Sequence, residues 1–254
     1  MELPHQAYSG INIPTHWANA IIDPISGASM KYTHLIKSPK HRVTWTTSFS
    51  NKLGRMAQGV GNRIKGTNTI YFIDYALIPK DRRSDITYGR IVVDYRPHKT
   101  DPNHTRLTVG GNLINYPGEV SNPTADTTTA NIVINSTIST PKTKYLVGDV
   151  NIFYLGTTTT RYEYLRLSIT IIPQEIIDQY NLLPLVRNGY VYIEIQRSMY
   201  GLPQTGILAN NQLTEHLEPK GYYQCRHTLG LWRHKWRPIL FSLVVDDFGI
   251  KYIS

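Results

Sequence analysis

The amino-acid sequence predicts an α+β fold, in which a mostly antiparallel sheet carries its helices on one face. The main observation is the order of the predicted elements: strands come first, then an irregular segment, then helices and strands without regular alternation. A second observation is the composition, because 254 residues with 41% hydrophobic and 18% charged side chains are typical of a folded chain with a core. This length allows one large domain or two small ones.

The chain is strongly basic, with a net charge of +9 and a pI near 9.5. Such a surface favours a polyanionic partner, of which nucleic acid is the commonest, although a generically basic protein would have the same composition. The single cysteine, Cys225, excludes an internal disulfide and is typical of a reducing compartment. Because no signal-peptide pattern and no apolar run of about 18 residues occur, we expect an intracellular protein without a membrane partner.

The first part of the chain predicts a lead-in followed by a basic β lobe. Residues 1–44 have no clear hydrophobic period and read as a weakly structured linker. Apolar side chains at helical spacing then predict one amphipathic helix, and Gly59 follows it. Runs of β-branched and aromatic residues separated by charged turns predict the strands of the lobe. The predicted helix covers 45–58, the strands cover 69–75, 89–95 and 105–109, and the lobe covers 45–115.

The second part, residues 116–254, predicts a mixture of helices and strands. Threonine-rich 124–141 is a weak helix candidate, whereas Pro173 at a first turn supports a helix over 171–183. The dipeptide Asn188-Gly189 between two apolar runs is the strongest short hairpin signal. A strand at 145–150, a helix at 204–217 and a terminal hairpin at 241–252 complete the pattern.

The terminal hairpin places two adjacent carboxylates, Asp246 and Asp247, at the turn between two apolar strands. Like charges so close together resist ionisation unless a positive charge lies near them. A divalent cation with oxygen ligands meets that need, and magnesium is the usual choice. Aspartate-rich turns are also ordinary hairpin chemistry, so both interpretations stay open at this point.

A third carboxylate, Asp149, follows another apolar strand, in K-Y-L-V-G-D-V. If this strand lies beside the terminal hairpin, three carboxylates from separate strands meet in one place. Two metal ions about 3.5–4 Å apart, held in this way, stabilise the attacking and leaving oxygens of an in-line phosphoryl displacement. Taken alone, Asp149 is better explained as a solvated carboxylate at a strand end.

Several motifs, in this order, resemble the polymerase segments of a reverse transcriptase, and more narrowly those of copia-type retrotransposons. Residues 45 to 254 carry the resemblance. The motifs are Trp45 followed by a helix, R-L-T-V-G-G (106–111), Asp149 with Phe153 and Tyr154, E-Y-L-R-L (163–167), Y-G-L-P-Q-T-G (200–206) and V-V-D-D (244–247). The resemblance implies a fingers lobe at 45–115 and a palm at 116–254, with the antiparallel palm sheet of that family.

The resemblance implies a catalytic role for the three aspartates. Asp149, Asp246 and Asp247 would hold two Mg²⁺ ions, for which Mn²⁺ can substitute, in the transfer of a deoxynucleotide to a primer end. Tyr154 would lie beneath the sugar of the incoming nucleotide and exclude a 2′-hydroxyl by its bulk. A core aromatic residue at a strand-to-loop junction is the alternative for Tyr154.

The resemblance also implies four further contacts to the incoming nucleotide. Arg106 and Lys99 would bind its phosphates, a task that suits the planar fork of arginine. Gln204 would contact the nucleotide and the template, and Gly206 would let the backbone approach it closely. The alternatives are solvated surface side chains for Arg106 and Lys99, a capping residue for Gln204 and a flexible turn for Gly206.

The sequence departs from the family pattern at its end and near the paired aspartates. Val244 stands where a tyrosine is usual, and Gly148 precedes Asp149. After the terminal hairpin no residues remain for a thumb or a ribonuclease H domain, so we expect a fragment of a longer polyprotein that also contains integrase. Its expected partners are an RNA or DNA template-primer and deoxynucleoside triphosphates. The alternatives are an inactive remnant that only binds nucleic acid and a two-metal nuclease.

Overall fold

Two five-stranded β-sheets and the helices packed on them form most of the described chain, which confirms the α+β class. The computed structural model describes residues 20–23, 25–97, 99–121, 123–150 and 153–253. Its α-helices are α1 (Tyr32–Leu35), α2 (Arg42–Met56), α3 (Thr127–Ser139), α4 (Phe153–Gly156), α5 (Gln174–Gln179) and α6 (Thr205–Leu217).

The strands divide into a hairpin sheet, a mixed sheet and one short pair. In chain order they are β1 (Gly59–Val60), β2 (Ile64–Lys65), β3 (Ile70–Ile73), β4 (Thr87–Tyr95), β5 (Asn103–Val109), β6 (Thr143–Asp149), β7 (Thr158–Ser168), β8 (Tyr190–Arg197), β9 (Tyr222–Gln224), β10 (Leu231–His234), β11 (Leu240–Val244) and β12 (Asp247–Ile253). The hairpin sheet has the order β6-β12-β11-β10-β9 and is antiparallel throughout. The mixed sheet has the order β3-β8-β7-β4-β5, with a parallel pair between β4 and β7.

The main core lies between the mixed sheet and α2. Phe49, Leu53 and Met56 recur at helical spacing along α2, and all three are fully buried. They join a cluster that includes Leu165 of β7 and Ile193 of β8. The predicted helix at 45–58 is therefore confirmed, although it begins three residues earlier.

The mixed sheet crosses the predicted boundary between the two lobes. Strands β7 and β8 come from beyond residue 115, yet they pair with β4 and β3 of the first lobe. The predicted lead-in also contributes to the core, because α1 buries Tyr32 and Leu35 against it. Residues 1–19 of that lead-in lie outside the described residues.

The hairpin sheet carries a helix on each face, which corrects the expectation of helices on one face only. Ile250 of β12 packs in a cluster with Trp232 and with Leu213 of α6. The next residue, Lys251, points to the other face, where its Nζ donates to the carbonyl oxygen of Ser136 in α3 at 2.9 Å. Successive strand residues point to opposite faces, so α3 and α6 enclose the sheet between them.

Two other sequence-based predictions have different outcomes. The weak helix candidate at 124–141 forms α3, and the side chain of Asp126 caps it by accepting from the backbone N–H of Thr129 at 2.7 Å. The two-residue turn predicted at Asn188-Gly189 forms, because both residues have a positive φ and Arg187 pairs with Tyr190 through two backbone hydrogen bonds. The segment before the turn contributes only this bridge, and a 3₁₀ turn at Leu183–Leu185 takes the place of the predicted strand. Pro184 in that turn has no N–H for a strand ladder.

The terminal hairpin turns through two residues, Val245 and Asp246, because Val244 pairs with Asp247. Val245 has a φ of 62°, a left-handed conformation that a β-branched side chain rarely adopts. Its backbone N–H donates to Thr124 Oγ1 at 2.9 Å, which holds the turn against the segment before α3. The turn that presents Asp246 is therefore strained at the preceding residue.

Replacing Val245 by asparagine should stabilise the protein, because asparagine tolerates left-handed backbone far better than valine. We expect the free energy of unfolding in urea to rise by about 1 kcal/mol. Val244→Asn is the matched control, since Val244 has nearly the same exposure, 37% against 39% for Val245, and lies in a strand. Equal effects of the two substitutions would contradict strain at the turn.

Candidate active site

The pairing of β6 with β12 brings the three predicted carboxylates to one end of the hairpin sheet. Asp149 is the direct cross-strand partner of Asp247, and the backbone N–H of Val150 donates to the carbonyl of Asp246 at 3.3 Å. Directly opposed residues of an antiparallel pair have Cβ atoms about 4.5–5.5 Å apart and point to the same face. The strand of Asp149 thus lies beside the terminal hairpin, as the sequence analysis expected.

Two tyrosines pack beside these carboxylates. The hydroxyl of Tyr200 donates to Asp246 Oδ2 at 3.3 Å, and the Tyr200 ring meets the ring of Tyr154 edge to face at 5.1 Å. Partial burial, followed by the charges of Asp246, Asp149 and Asp247, raises the pKa of Tyr200 to about 12. Burial and the charge of Asp246 likewise raise the pKa of Tyr154 to about 12. Both phenols are therefore protonated at neutral pH. The negative charges of all three carboxylates contribute to the raised pKa of Tyr200.

The carboxylates border a cleft of about 510 Å³ whose other wall is basic. That wall is built from α2, from β5 and from the segment between β4 and β5. The cleft thus offers an acidic end and a basic wall to one molecule. Its lining comprises Lys52, Arg55, Arg96, His104, Arg106, Asp149, Val150, Phe153, Tyr154, Leu155, Tyr200, Asp246 and Asp247.

The basic wall keeps an excess of positive charge. Asp94 makes ion pairs with both Arg96, at 2.7 Å, and Arg106, at 3.6 Å. One carboxylate is therefore shared by two guanidinium groups. Lys52 and Arg55 add two further cations to the wall. Burial, and then the charge of Arg55, lowers the pKa of Lys52 to about 8. An anionic ligand in the cleft would relieve this crowding of like charges.

The structure places the other predicted site residues in different surroundings. Arg106 and Tyr154 line the cleft, but Tyr154 is only 5% exposed. Lys99 is exposed on the segment after β4 and does not line the cleft. Gly206 lies in the first turn of α6, in a crevice that it shares with Tyr154. Gln204 is fully buried beneath the start of α6.

The side chain of Gln204 contacts a buried carboxylate. Its Nε2 donates to Oε1 of Glu163 in β7 at 3.1 Å, and Glu163 has no exposed surface. Burial raises the pKa of Glu163, and the charges of Arg161 and Arg82 oppose this shift. Arg82 donates to the other carboxylate oxygen at 2.6 Å, and Asp85 bridges the two arginines. This network joins the mixed sheet to the start of α6.

Sequence reasoning missed several residues of the cleft and of this network. Lys52 and Arg55 lie three residues apart on the predicted amphipathic helix, so their shared polar face was a usable signal. Tyr200 belongs to the Y-G-L-P-Q-T-G motif, where no role was assigned to it. The strand containing Glu163 was not predicted, although T-T-T-R-Y-E-Y-L-R-L-S is rich in β-branched and aromatic residues.

The oxygen ligands at the acidic end are of the type that Mg²⁺ prefers. The strand register brings Asp149 and Asp247 side by side, and Asp246 follows in the same turn. Within the described ranges, however, no group of three His, Cys, Asp or Glu side chains is positioned to hold a metal ion. The donor chemistry of these carboxylates fits magnesium.

Comparison with known proteins adds no family assignment. No model of a known protein family matches this sequence, and a search of curated proteins finds no match. The structure adds one observation on partners: none of the described helices is long and apolar enough to cross a membrane.

The pKa of Lys52 makes stability depend on pH over a defined window. Because its folded-state pKa is about 8 instead of 10.5, the unfolded chain binds more protons between these values, and Lys52 makes stability rise with pH there. In the Lys52→Met variant this rise of stability with pH should be absent. The free energy of unfolding in urea, measured at several pH values across the window, tests this. Arg55→Met should move the start of the window upward, because it removes one cause of the shift. Identical pH profiles for wild type and Lys52→Met would contradict this assignment.

The contact between Gln204 and Glu163 should contribute measurably to stability. Gln204→Leu leaves a buried carboxylate oxygen with one donor fewer, and we expect the free energy of unfolding to fall by about 2 kcal/mol. Gln212→Leu, on the exposed side of the same helix, is the control and should change it by less than about 0.5 kcal/mol. A similar loss in both variants would show that the exchange of glutamine for leucine as such, not the loss of the buried contact, is responsible.

Proposed function

We propose that this chain is the RNA-directed DNA polymerase core, or reverse transcriptase fingers and palm, of a copia-type retrotransposon. The observation that carries the proposal is the pairing of Asp149 with Asp247 next to Asp246, opposite a basic wall. These are the carboxylates that the polymerase motifs of the sequence single out. The reaction is template-directed transfer of a deoxynucleotide to the 3′ end of a primer.

Asp149, Asp246 and Asp247 would hold the metal ions in this proposal. When bound, two Mg²⁺ ions activate the primer 3′-hydroxyl and neutralise the charge of the triphosphate. The hydroxyl of Tyr200 donates to Oδ2 of Asp246 and would orient this carboxylate as a metal ligand. Tyr154 packs against Tyr200 and presents a small part of its ring to the cleft, where the sugar of the incoming nucleotide would lie.

The basic wall would bind the triphosphate. Arg106, which the motifs already assign to phosphate, lines the cleft together with Arg96, Lys52 and Arg55. Guanidinium groups bind phosphate oxygens through paired N–H donors, and the ion pair with Asp94 holds two of these groups in position. A phosphate charge beside Lys52 would raise its pKa again and so stabilise its charged form.

A second candidate function is nucleic-acid binding without catalysis. It rests on the basic wall alone, with Lys52, Arg55, Arg96 and Arg106, and needs no metal-binding group. The excess of positive charge in the cleft supports binding in either case. The two candidates differ in one property, which is incorporation of nucleotides.

Primer extension on poly(rA)/oligo(dT) with Mg²⁺ or Mn²⁺ separates the two candidates. We expect incorporation by the wild type and a loss of roughly a hundredfold or more in Asp246→Asn and Asp149→Asn, because each removes a metal-binding charge. Asp81→Asn, an exposed carboxylate outside the cleft lining, is the control and should retain activity. Template-primer binding without any incorporation by the wild type would support the non-catalytic candidate instead.

A further inference from the structure

A second basic pocket lies on the mixed sheet and shares no lining residue with the cleft. Its volume is about 310 Å³, and its polar lining includes Tyr75, Arg83, Arg166, Arg187, Asn188 and Tyr192. Tyr192 alternates along β8 with the core residues Val191 and Ile193, so the pocket lies on the face opposite the main core. None of the sequence motifs discussed above assigns a role to it.

Two arginines of this pocket stack on one tyrosine ring. The guanidinium carbon of Arg187 lies 4.1 Å from the ring centroid of Tyr75, and that of Arg83 lies 4.5 Å from it. Arg83 Nε also donates to the carbonyl of Ile78 at 3.2 Å. The third arginine, Arg166, stacks on Tyr190 at 4.7 Å. Stacking holds the planar guanidinium groups in place while their N–H edges remain available to a ligand.

No carboxylate balances this positive charge within the described chain. Arg83, Arg166 and Arg187 form no ion pair there, whereas the arginines that do are Arg63, Arg82, Arg96, Arg106 and Arg161. Three cations at one pocket repel each other, so the pocket is complementary to an anion.

Three acidic residues near the pocket in sequence have other partners, and one of them, Asp85 next to Ile86, accepts from Arg82 Nε at 3.0 Å and from Arg161 Nη2 at 2.7 Å. Asp74, next to Tyr75, accepts from the backbone N–H of Ala76 at 2.7 Å. Glu194, two residues beyond Tyr192, accepts from Gln196 Nε2 at 2.7 Å. These carboxylates are therefore engaged elsewhere, and, apart from Arg83 Nε, the side-chain N–H groups of the three arginines have no hydrogen-bond partner among the described residues.

We propose that this pocket binds the phosphate backbone of single-stranded nucleic acid. Arginine forks match phosphate oxygens, and the rings of Tyr75 and Tyr190 hold these forks in place by stacking on them. A volume of about 310 Å³ suits one nucleotide unit better than a bare phosphate ion. The site needs neither metal ions nor nucleotide transfer, so it is independent of the proposed polymerase activity.

Fluorescence anisotropy of a labelled single-stranded RNA, without divalent ions or nucleotides, tests the proposal. The double variant Arg83→Gln/Arg187→Gln should bind about tenfold more weakly, and the slope of log K against log salt should fall by about 1.4, since two phosphate contacts are lost. The control Arg90→Gln/Arg237→Gln removes the same charge at exposed positions outside the pocket. It should weaken binding less than about twofold.

A third variant distinguishes the effect of the tyrosine ring from the effect of the arginine charges. It also tests the proposal if the double variant does not fold. Tyr75→Leu keeps all the arginines but removes the ring beneath two of them, so affinity should fall while the salt slope stays the same. Equal weakening by the pocket and control double variants would overturn the proposal, because only diffuse electrostatics would remain. Binding of inorganic phosphate that the pocket variants abolish, with RNA binding unchanged, would also overturn it and identify a free-anion site. Either outcome leaves primer extension, and thus the polymerase proposal, unaffected.

Discussion

The antiparallel pairing of β6 with β12 is the constraint on which the candidate active site depends. It places Asp149 opposite Asp247, and Asp246 lies in the two-residue turn that immediately precedes Asp247. A shift of this register by one residue would move Asp149 to the opposite face of the sheet. Within β12, Lys251 contacts α3 through its ammonium group and Ile250 packs toward α6, so contacts on both faces fix the orientation of this strand.

The second half of the cleft depends on the mixed sheet and on its contact with α6. Strand β7 carries Glu163 into the interior, where two arginines and Gln204 surround it. Removal of one partner from such a buried ionic network is strongly destabilising, because an uncompensated charge remains. The network therefore holds the start of α6, and the Tyr200 segment just before it, in a fixed relation to the sheet that supplies Arg106.

Positive charge is distributed over two separate places on the same sheet. In the cleft, Arg96 and Arg106 share the carboxylate of Asp94, which positions them. In the second pocket, Arg83 and Arg187 are positioned by the ring of Tyr75 and keep their full charge. A basic chain that binds nucleic acid would use the first arrangement for a reacting triphosphate and the second for a strand that is only held.

Local sequence determined the parts of this protein that depend on neighbours along the chain. The apolar spacing of Phe49, Leu53 and Met56 is enough to predict α2, and Asp246-Asp247 between apolar runs is enough to predict the terminal hairpin. Where an element depends on distant partners, the sequence was insufficient. Asn188-Gly189 forms the turn that its chemistry indicates, but only the sheet decides that β8 pairs along its length with β3 and β7, while the segment before the turn adds a single bridge.

The sequence by itself determined the α+β class, the basic character and the three carboxylates of the candidate site. Only the tertiary structure decided that Lys52 and Arg55 face those carboxylates, that Gln204 is buried against Glu163, and that three arginines meet at a second pocket. The physical reason is that these contacts join residues far apart in the chain. Their geometry is set by strand register and helix packing, which no local pattern of residues records.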